Sequence, residues 1–577
     1  MTHDDVERPA HGPQGPGAGA RELIVMTEPR ERVRVTARGV ESSTADAGGL
    51  QEILARHDAT LAPLFGDESV VEAEVAAMPD RSDAVAQLPT YYHVEAPDDR
   101  LEALADELSQ DPLVAAAYVK PAAEPPVLAV DDLDAVMSET PDPGSPPAVT
   151  PDFTGRQGYL DPAPGGIDAR YAWTLGGGRG AGIRVIDCEW GWRFTHEDLG
   201  VHQGGVVAGT GGTDTDHGTA VLGEISGDRN SLGITGIAPD AVISASAFSV
   251  PSATAIRSAA NRLRAGDVLL LEIHRPGPNA PMPRQGQQGF IAIEWWPDDY
   301  AAIRYAVEKG IVVVEAAGNG SEDFDDAAYD RRPRGFPSGW TNPFDPANPT
   351  SGAVVVGAGA PPPGTHDRNH GPDRSRLGFS NWGRRVDVQG WGREVTSTGY
   401  GGLQGGTDPD RHYTDTFSGT SSASPIVVGA IAAVQGVLRA RNRPLLSPAR
   451  AIELLRSTGS PQTDAPGRPR TQRIGNRPDL RELIRAALAT RSPWVGVQFH
   501  GRLGPRQTRC WFTFNWPAHW HVVWTVVPTT VRPGAPQLQW RTQVERAQDG
   551  RATYWICVTN LTGTTVDLEG RYGVLGW

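Results

Sequence analysis

Lysine is almost missing from this chain. Of its 53 basic residues only Lys120 and Lys309 are lysines, and the rest are arginines. Together with abundant Ala, Gly and Pro, that bias is expected of a GC-rich bacterial coding sequence. Positive charge is in deficit overall. A net charge of −16 excludes nonspecific nucleic-acid binding and sets the chain against anionic membranes. Cysteine is equally scarce. Cys188, Cys510 and Cys557 are too few for a disulfide framework or a thiolate zinc site, and they suit a reducing compartment as small buried residues. One Cys510–Cys557 bridge stays open, because both lie in expected strands of the last domain. No run of about 18 apolar residues occurs, so no membrane span is expected. The first twenty residues are polar, without a basic stretch leading into an apolar one. No secretory signal is expected from them, and a cytoplasmic location follows, with non-classical export left open.

What is present is the composition of soluble globular protein, 39% hydrophobic and 21% charged, over a length of 577 residues that should hold about three or four domains. Residues 1–20 read as disordered. Residues 21–120 alternate strand and helix patterns. Strands are expected at 23–26, 91–94 and 113–119, with a further one carrying Val33 and Val35. Leu50, Ile53, Leu54 and Leu61 suit one helix face, and Leu101, Leu104, Ala105 and Leu108 follow i, i+3, i+4, i+7 spacing on another. A small α+β domain with helices on one sheet face follows. Residues 121–152 are a Pro-rich linker. Residues 153–490 alternate apolar runs (183–186, 241–245, 268–273, 311–314, 354–356) with helical patterns at 253–264 and 300–309. That alternation predicts a mostly parallel sheet covered on both faces, with its chemistry beyond the carboxyl ends of the strands. Residues 493–577 hold eight of the sixteen tryptophans; Trp520, Val522, Trp524 and Val526 alternate, and a small all-β sandwich is expected.

The stretch Phe417-Ser418-Gly419-Thr420-Ser421-Ser422-Ala423-Ser424-Pro425 precedes an apolar run over 426–438. It predicts a loop entering a buried helix, with Ser421 in the first turn near free N–H groups and the positive end of the helix dipole. Pro425 falls where a proline is tolerated near a helix start. A nucleophile placed there can hold an oxyanion, provided that the chain supplies a base, an orienting carboxylate and a second donor. Asp187 ends the 183–186 strand. His217 opens a small-residue helix in Asp214-Thr215-Asp216-His217-Gly218-Thr219-Ala220. Asn319 follows a strand in Ala316-Ala317-Gly318-Asn319-Gly320. All three groups are expected at the active edge of the sheet.

In these strings and in their order the chain resembles the subtilisin-like serine proteases, over about residues 165–485. The resemblance implies a subtilisin-like α/β fold preceded by a ferredoxin-like prodomain. It implies a serine endopeptidase with Ser421 as nucleophile, His217 as proton shuttle, Asp187 as orienting carboxylate and Asn319 in the oxyanion hole. Protein or peptide substrates would lie along Glu272, Ile273 and His274 on one side and Ala316, Ala317 and Gly318 on the other. No cofactor is required, calcium is allowed, and the N-terminal domain would be an intramolecular inhibitor of a zymogen. The alternative is a catalytically silent scaffold on the same fold, acting through its C-terminal β-domain.

The chain departs from that pattern in places. Cys188-Glu189 replaces the family's small residue and glycine after the aspartate, and Ala220 replaces a second histidine; neither change removes an expected catalytic group. The substrate strand reads Glu272-Ile273-His274-Arg275-Pro276-Gly277-Pro278, where bulk and charge stand in place of glycine. A narrowed cleft is expected, and with Glu272 and Glu315 near the first pocket, a preference for Arg or Lys before the cut bond. Asp323, Asp325 and Asp326 are candidate calcium ligands, with a solvated acidic turn as the plainer reading. His519 and His521 could share a strand face as a metal pair, although surface histidines are commoner. The C-terminal tryptophans fit a core better than a binding face.

Overall fold

A computed structural model describes residues 20–37, 39–78, 81–126, 147–489, 494–518, 520–546 and 551–576. Most of the stretch 1–20 expected to be disordered, most of the linker expected over 121–152, and His519 lie outside those residues. Residues up to 488 form one compact unit and 489–577 a second.

Strand β1 (Glu22–Thr27) is buried at every position, because its alternating side chains serve two cores. Leu23 and Val25 pack with Leu50, Ile53 and Leu54 of helix α1 (Gly48–Arg56). β2 (Thr60–Pro63), β3 (Tyr91–Glu95), helix α2 (Leu101–Leu108) and β4 (Val114–Lys120) supply the rest of the sheet and its second covering helix, and a further helix, Glu68–Ala77, lies in the connection from β2 to β3. The sheet order is β2-β3-β1-β4, antiparallel throughout, which is the ferredoxin-like arrangement. Ile24, Met26, Ala116 and Tyr118, on the other face, share a core with the large domain. One expectation is corrected: Leu61 lies in β2, not on the helix face with Leu50. The expected strand carrying Val33 and Val35 is present as Val33–Thr36, paired with Gly39–Ser42 in a separate hairpin outside the sheet.

The large domain contains β5 (Arg184–Glu189), β6 (Gln203–Ala208), α3 (Asp216–Ser226), β7 (Val242–Ala247), α4 (Ser252–Arg262), β8 (Val268–Leu271), β9 (His274–Pro276), β10 (Phe290–Ala292), α5 (Pro297–Glu308), β11 (Val312–Ala316), β12 (Val354–Gly359), β13 (Val388–Trp391) and α6 (Thr420–Ala440). Its seven-stranded parallel sheet has the order β13-β12-β11-β8-β5-β7-β6. Val185, Leu270, Val314 and Val356 face α3 and α6. Their neighbours Ile186, Leu269, Val313 and Val355 face α4 and α5. Both faces are thus covered, as continuous apolar strands require. Of the strands, β6 and β13 had no clear sequence signal. β6 reads Gln-Gly-Gly-Val-Val-Ala, is half exposed and breaks register with β7, while β13 has four residues, one of them Gln and one Gly.

Helix α6 is long and apolar enough to cross a bilayer, and that stretch is wholly buried as the central helix of this domain. Pro425 is its sixth residue, beyond the first turn. The Ser421 carbonyl therefore has no helical N–H donor.

The second unit stacks two three-stranded antiparallel sheets. One comprises Trp494–Leu503, Val566–Gly576 and His521–Pro528; the other comprises Thr508–Pro517, Arg551–Asn560 and Leu538–Arg546. Cys510 and Cys557 stand opposite each other on adjacent strands and form a disulfide. Trp511, Trp516 and Trp524 pack inward, whereas Phe512, Phe514, Trp540 and Trp555 are exposed.

Candidate active site

Strand β5 sets the site. Residues 185, 187 and 189 share a face because strand side chains alternate, and that face looks at α3 and α6. Two carboxyl groups, Asp187 and Glu189, are therefore buried side by side beneath the N-terminus of α3. His217, the second residue of α3, places its Nδ1 2.5 Å from Glu189 Oε2. Asp187 is turned elsewhere: its Oδ2 accepts the Trp192 Nε1–H at 2.7 Å, and its Oδ1 has no hydrogen-bond partner among the described residues. The imidazole packs edge-on against Phe417, and among the described residues its buried Nε2 has no hydrogen-bond partner. Burial holds His217 down at about 4, so the ring is neutral at neutral pH. Burial pushes Glu189 up, with Asp214 adding to the effect, and Asp187 is pushed up by burial and by Glu189. Close buried carboxyl groups cannot both ionise cheaply.

Ser421 is the second residue of α6 and is fully buried. What covers it is the segment that leaves β4. Glu124 exchanges both backbone hydrogen bonds with His274 at 3.1 Å, in antiparallel pairing. Gln287 Nε2 donates to the Pro125 carbonyl at 2.9 Å. The Pro126 carbonyl oxygen then accepts Ser421 Oγ–H at 2.6 Å and Ser421 N–H at 3.4 Å. Asn319 also lies here, but its Nδ2 donates to Gln287 Oε1 at 2.9 Å while its Oδ1 accepts from Thr420 N–H and Oγ–H. Of the expected substrate-binding residues, His274 carries the strand pairing. Ile273 is buried, and Ala316, Ala317 and Gly318 continue β11 toward Asn319.

The two glutamates expected in the first pocket are elsewhere. Glu272 is fully buried and accepts Ser424 Oγ–H at 2.5 Å beneath α6; burial and Asp187 push its carboxyl up. Glu315 is buried in β11 and accepts the Glu294 N–H. With both carboxyl groups turned inside, the expected preference for Arg or Lys loses its basis. The acidic turn does not fit calcium either. Asp325 is ion-paired with Arg384 at 2.9 Å, Asp326 caps a turn at Ala328 N–H, and Asp323 accepts the Asp325 N–H. Among the described residues, no group of three or more His, Cys, Asp or Glu is arranged to hold a metal ion.

Sequence reasoning passed over Glu189, Trp192 and Gln287. The signal for Glu189 was its i+2 spacing from Asp187 on a strand, which puts both side chains on one face. Gln287 sits in the insertion between β9 and β10, where no periodicity marks it.

Residues 277–475 match the subtilase family profile. Asn319 and Ser421 fall inside that stretch, and Asp187, Glu189 and His217 precede it. Subtilisin BL of Lederbergia lenta is 28% identical over 266 residues, 44% of this chain and 77% of the relative. Subtilisin Savinase of the same organism is 27% identical over 265 residues, with the same shares. Among solved structures, fervidolysin from Fervidobacterium pennivorans, described as a keratinolytic enzyme related to subtilisin, aligns at a TM-score of 0.46 and 16% identity, covering 96% of this chain and 70% of that one.

Proposed function

Since this chain carries a domain of the subtilase family of serine proteases, we propose that it is a serine endopeptidase whose own N-terminal domain occupies and regulates its cleft. The observation that carries this reading is the Pro126 carbonyl on the Ser421 hydroxyl and N–H. A peptide held there, paired with His274 as an added strand, is in the pose of a substrate whose cut bond follows Pro126. Ser421 Oγ attacks the carbonyl carbon and His217 Nε2 takes the hydroxyl proton. The same imidazole then donates that proton to the departing amine of Val127, leaving an acyl-enzyme that water hydrolyses. The Ser421 N–H stabilises the oxyanion, and Asn319 Nδ2 adds a second donor once it leaves Gln287. A hydroxyl that donates to the Pro126 carbonyl oxygen is consistent with a held, inhibited state.

Specificity is restricted on this reading. His274 is fully buried and tilted against Phe290, with ring centroids 4.7 Å apart, where open space would admit a large side chain. A small or prolyl residue before the cut, as Pro126 is here, is the expected preference.

Intact mass and N-terminal sequencing test the proposal. Wild-type protein should yield a product beginning at Val127, and the Ser421→Ala variant should stay at full length. Identical masses for the two would overturn self-processing. Absence of fluorophosphonate labelling after the N-terminal domain is removed would overturn the endopeptidase.

A further inference from the structure

In a serine-nucleophile site the carboxylate that grips the imidazole fixes its tautomer and steadies the cation formed when the serine proton moves. Two carboxyl groups of β5 compete for that position. We infer that Glu189, not Asp187, is the positioning carboxylate for His217. This inference rests on the endopeptidase reading above.

Three independent observations converge on it. The first is the contact, with Glu189 Oε2 2.5 Å from His217 Nδ1. The second is the room made for it. A Cβ at position 218 would come 2.2 Å from Glu189 Oε1, so the glycine next to the histidine leaves space for this carboxyl group. The third is the diversion of the rival: Trp192 Nε1–H holds Asp187 Oδ2 at 2.7 Å. Glu189 stands two residues farther along the strand and has one more methylene, which together carry its carboxylate to the start of α3. With Nδ1–H donated to Glu189, Nε2 keeps its lone pair, as a base for Ser421 requires.

Asp187 then supports from behind. Its register neighbour on β8 is Leu270, and Glu272 follows two residues beyond on the same face. Glu272 is held by Ser424 of α6. Asp187, Glu189 and Glu272 thus form a buried acidic group in which only Glu189 touches the imidazole.

The test compares Glu189→Gln, Glu189→Asp, Asp187→Asn and wild type in the full chain, with matching circular dichroism as the fold control. The first readout is the low-field proton resonance of an imidazole Nδ1–H bound to a carboxylate. It should be lost in Glu189→Gln and in His217→Ala and kept in Asp187→Asn. The second is the rate of self-cleavage after Pro126. It should fall by about 10³–10⁴ in Glu189→Gln, the scale set by amide replacement of an orienting carboxylate in other serine enzymes. Partial recovery is expected in Glu189→Asp, and a loss under about tenfold in Asp187→Asn. A resonance that survives Glu189→Gln, or vanishes in a well-folded Asp187→Asn, would overturn the inference. A wild-type chain that never cuts itself would instead strike self-processing, and one that also fails to take a fluorophosphonate would strike the endopeptidase reading, while the resonance would still decide which carboxylate holds the ring.

Discussion

Replacing Lys120 by Met should release the N-terminal domain from the large one. Lys120 is completely buried at the junction of the two. Its Nζ lies 2.6 Å from Asp298, 2.9 Å from Asp299 and 3.1 Å from Glu22. Glu22 and Lys120 come from β1 and β4; Asp298 and Asp299 come from the start of α5, and Arg275 from β9 pairs with Glu22. Two buried cations therefore face three buried carboxyl groups. Methionine preserves the apolar stem and removes the charge, leaving Asp298 and Asp299 buried with one cation fewer. Breaking a buried pair from one side costs about 3–5 kcal/mol, which at about 1.4 kcal/mol per factor of ten is roughly 10²–10⁴ in docking. Hydrogen exchange measured in the Ser421→Ala background, so that no cut intervenes, reads this directly. The amides of β4 and of the segment leading to Pro126 should lose protection by that factor in Lys120→Met, while α1 and α2 keep most of theirs. If β4 protection stays within about threefold of the parent, the ion cluster does not hold the domain and the reasoning fails.

Acidification should act on the same junction. Burial raises the Glu22 carboxyl, but Arg275 and Lys120 outweigh it and hold it at about 2, against an ordinary value of 4.5. That stabilisation, about 3 kcal/mol, is complete above pH 4.5 and is lost as pH falls through 2; pepsin should therefore cut the N-terminal domain increasingly over that interval, and equal resistance at pH 2.5 and 4.5 would count against it. His217 must be neutral to act, so the rate of self-cleavage should climb through pH about 4 and level off above; a limb centred near 6.5 would show that burial does not govern the ring. Cys510→Ser with Cys557→Ser opens a bridge spanning 47 residues and should destabilise the C-terminal unit by about 2–4 kcal/mol; a thermal transition of that unit unchanged by the pair would mean that the bond does not constrain it.

The parallel sheet was readable because its central strands, such as β8 and β11, are covered on both faces and so appear as unbroken apolar runs. Edge strands lose that signature: β6 and β13 carry Gly and Gln and were invisible. Leu61 misled because a single leucine seven or eight residues after Ile53 and Leu54 fits a helix period as well as a strand. At the site, short strings of fixed order brought forward Asp187, His217, Asn319 and Ser421. The contact of Glu189 with His217 was passed over, because Asp187 matched the expected string and drew attention from the residue two positions on. Glu272 was placed in a pocket from its position after β8, but that face looks at α6, and only the three-dimensional register of β8 with β5 reveals it.

The scarcity of lysine acquires a use from the way the domains meet. Lys309 is half exposed, and Lys120 is sealed between the domains by three carboxylates. An amine-reactive reagent applied to the joined protein has one lysine side chain to modify. After the N-terminal domain leaves, a second appears, on the departing fragment. The departing fragment therefore carries its own chemical label for domain release, one lysine side chain per departure, distinct from the α-amine that cleavage frees at Val127, at a position that needs no engineered residue.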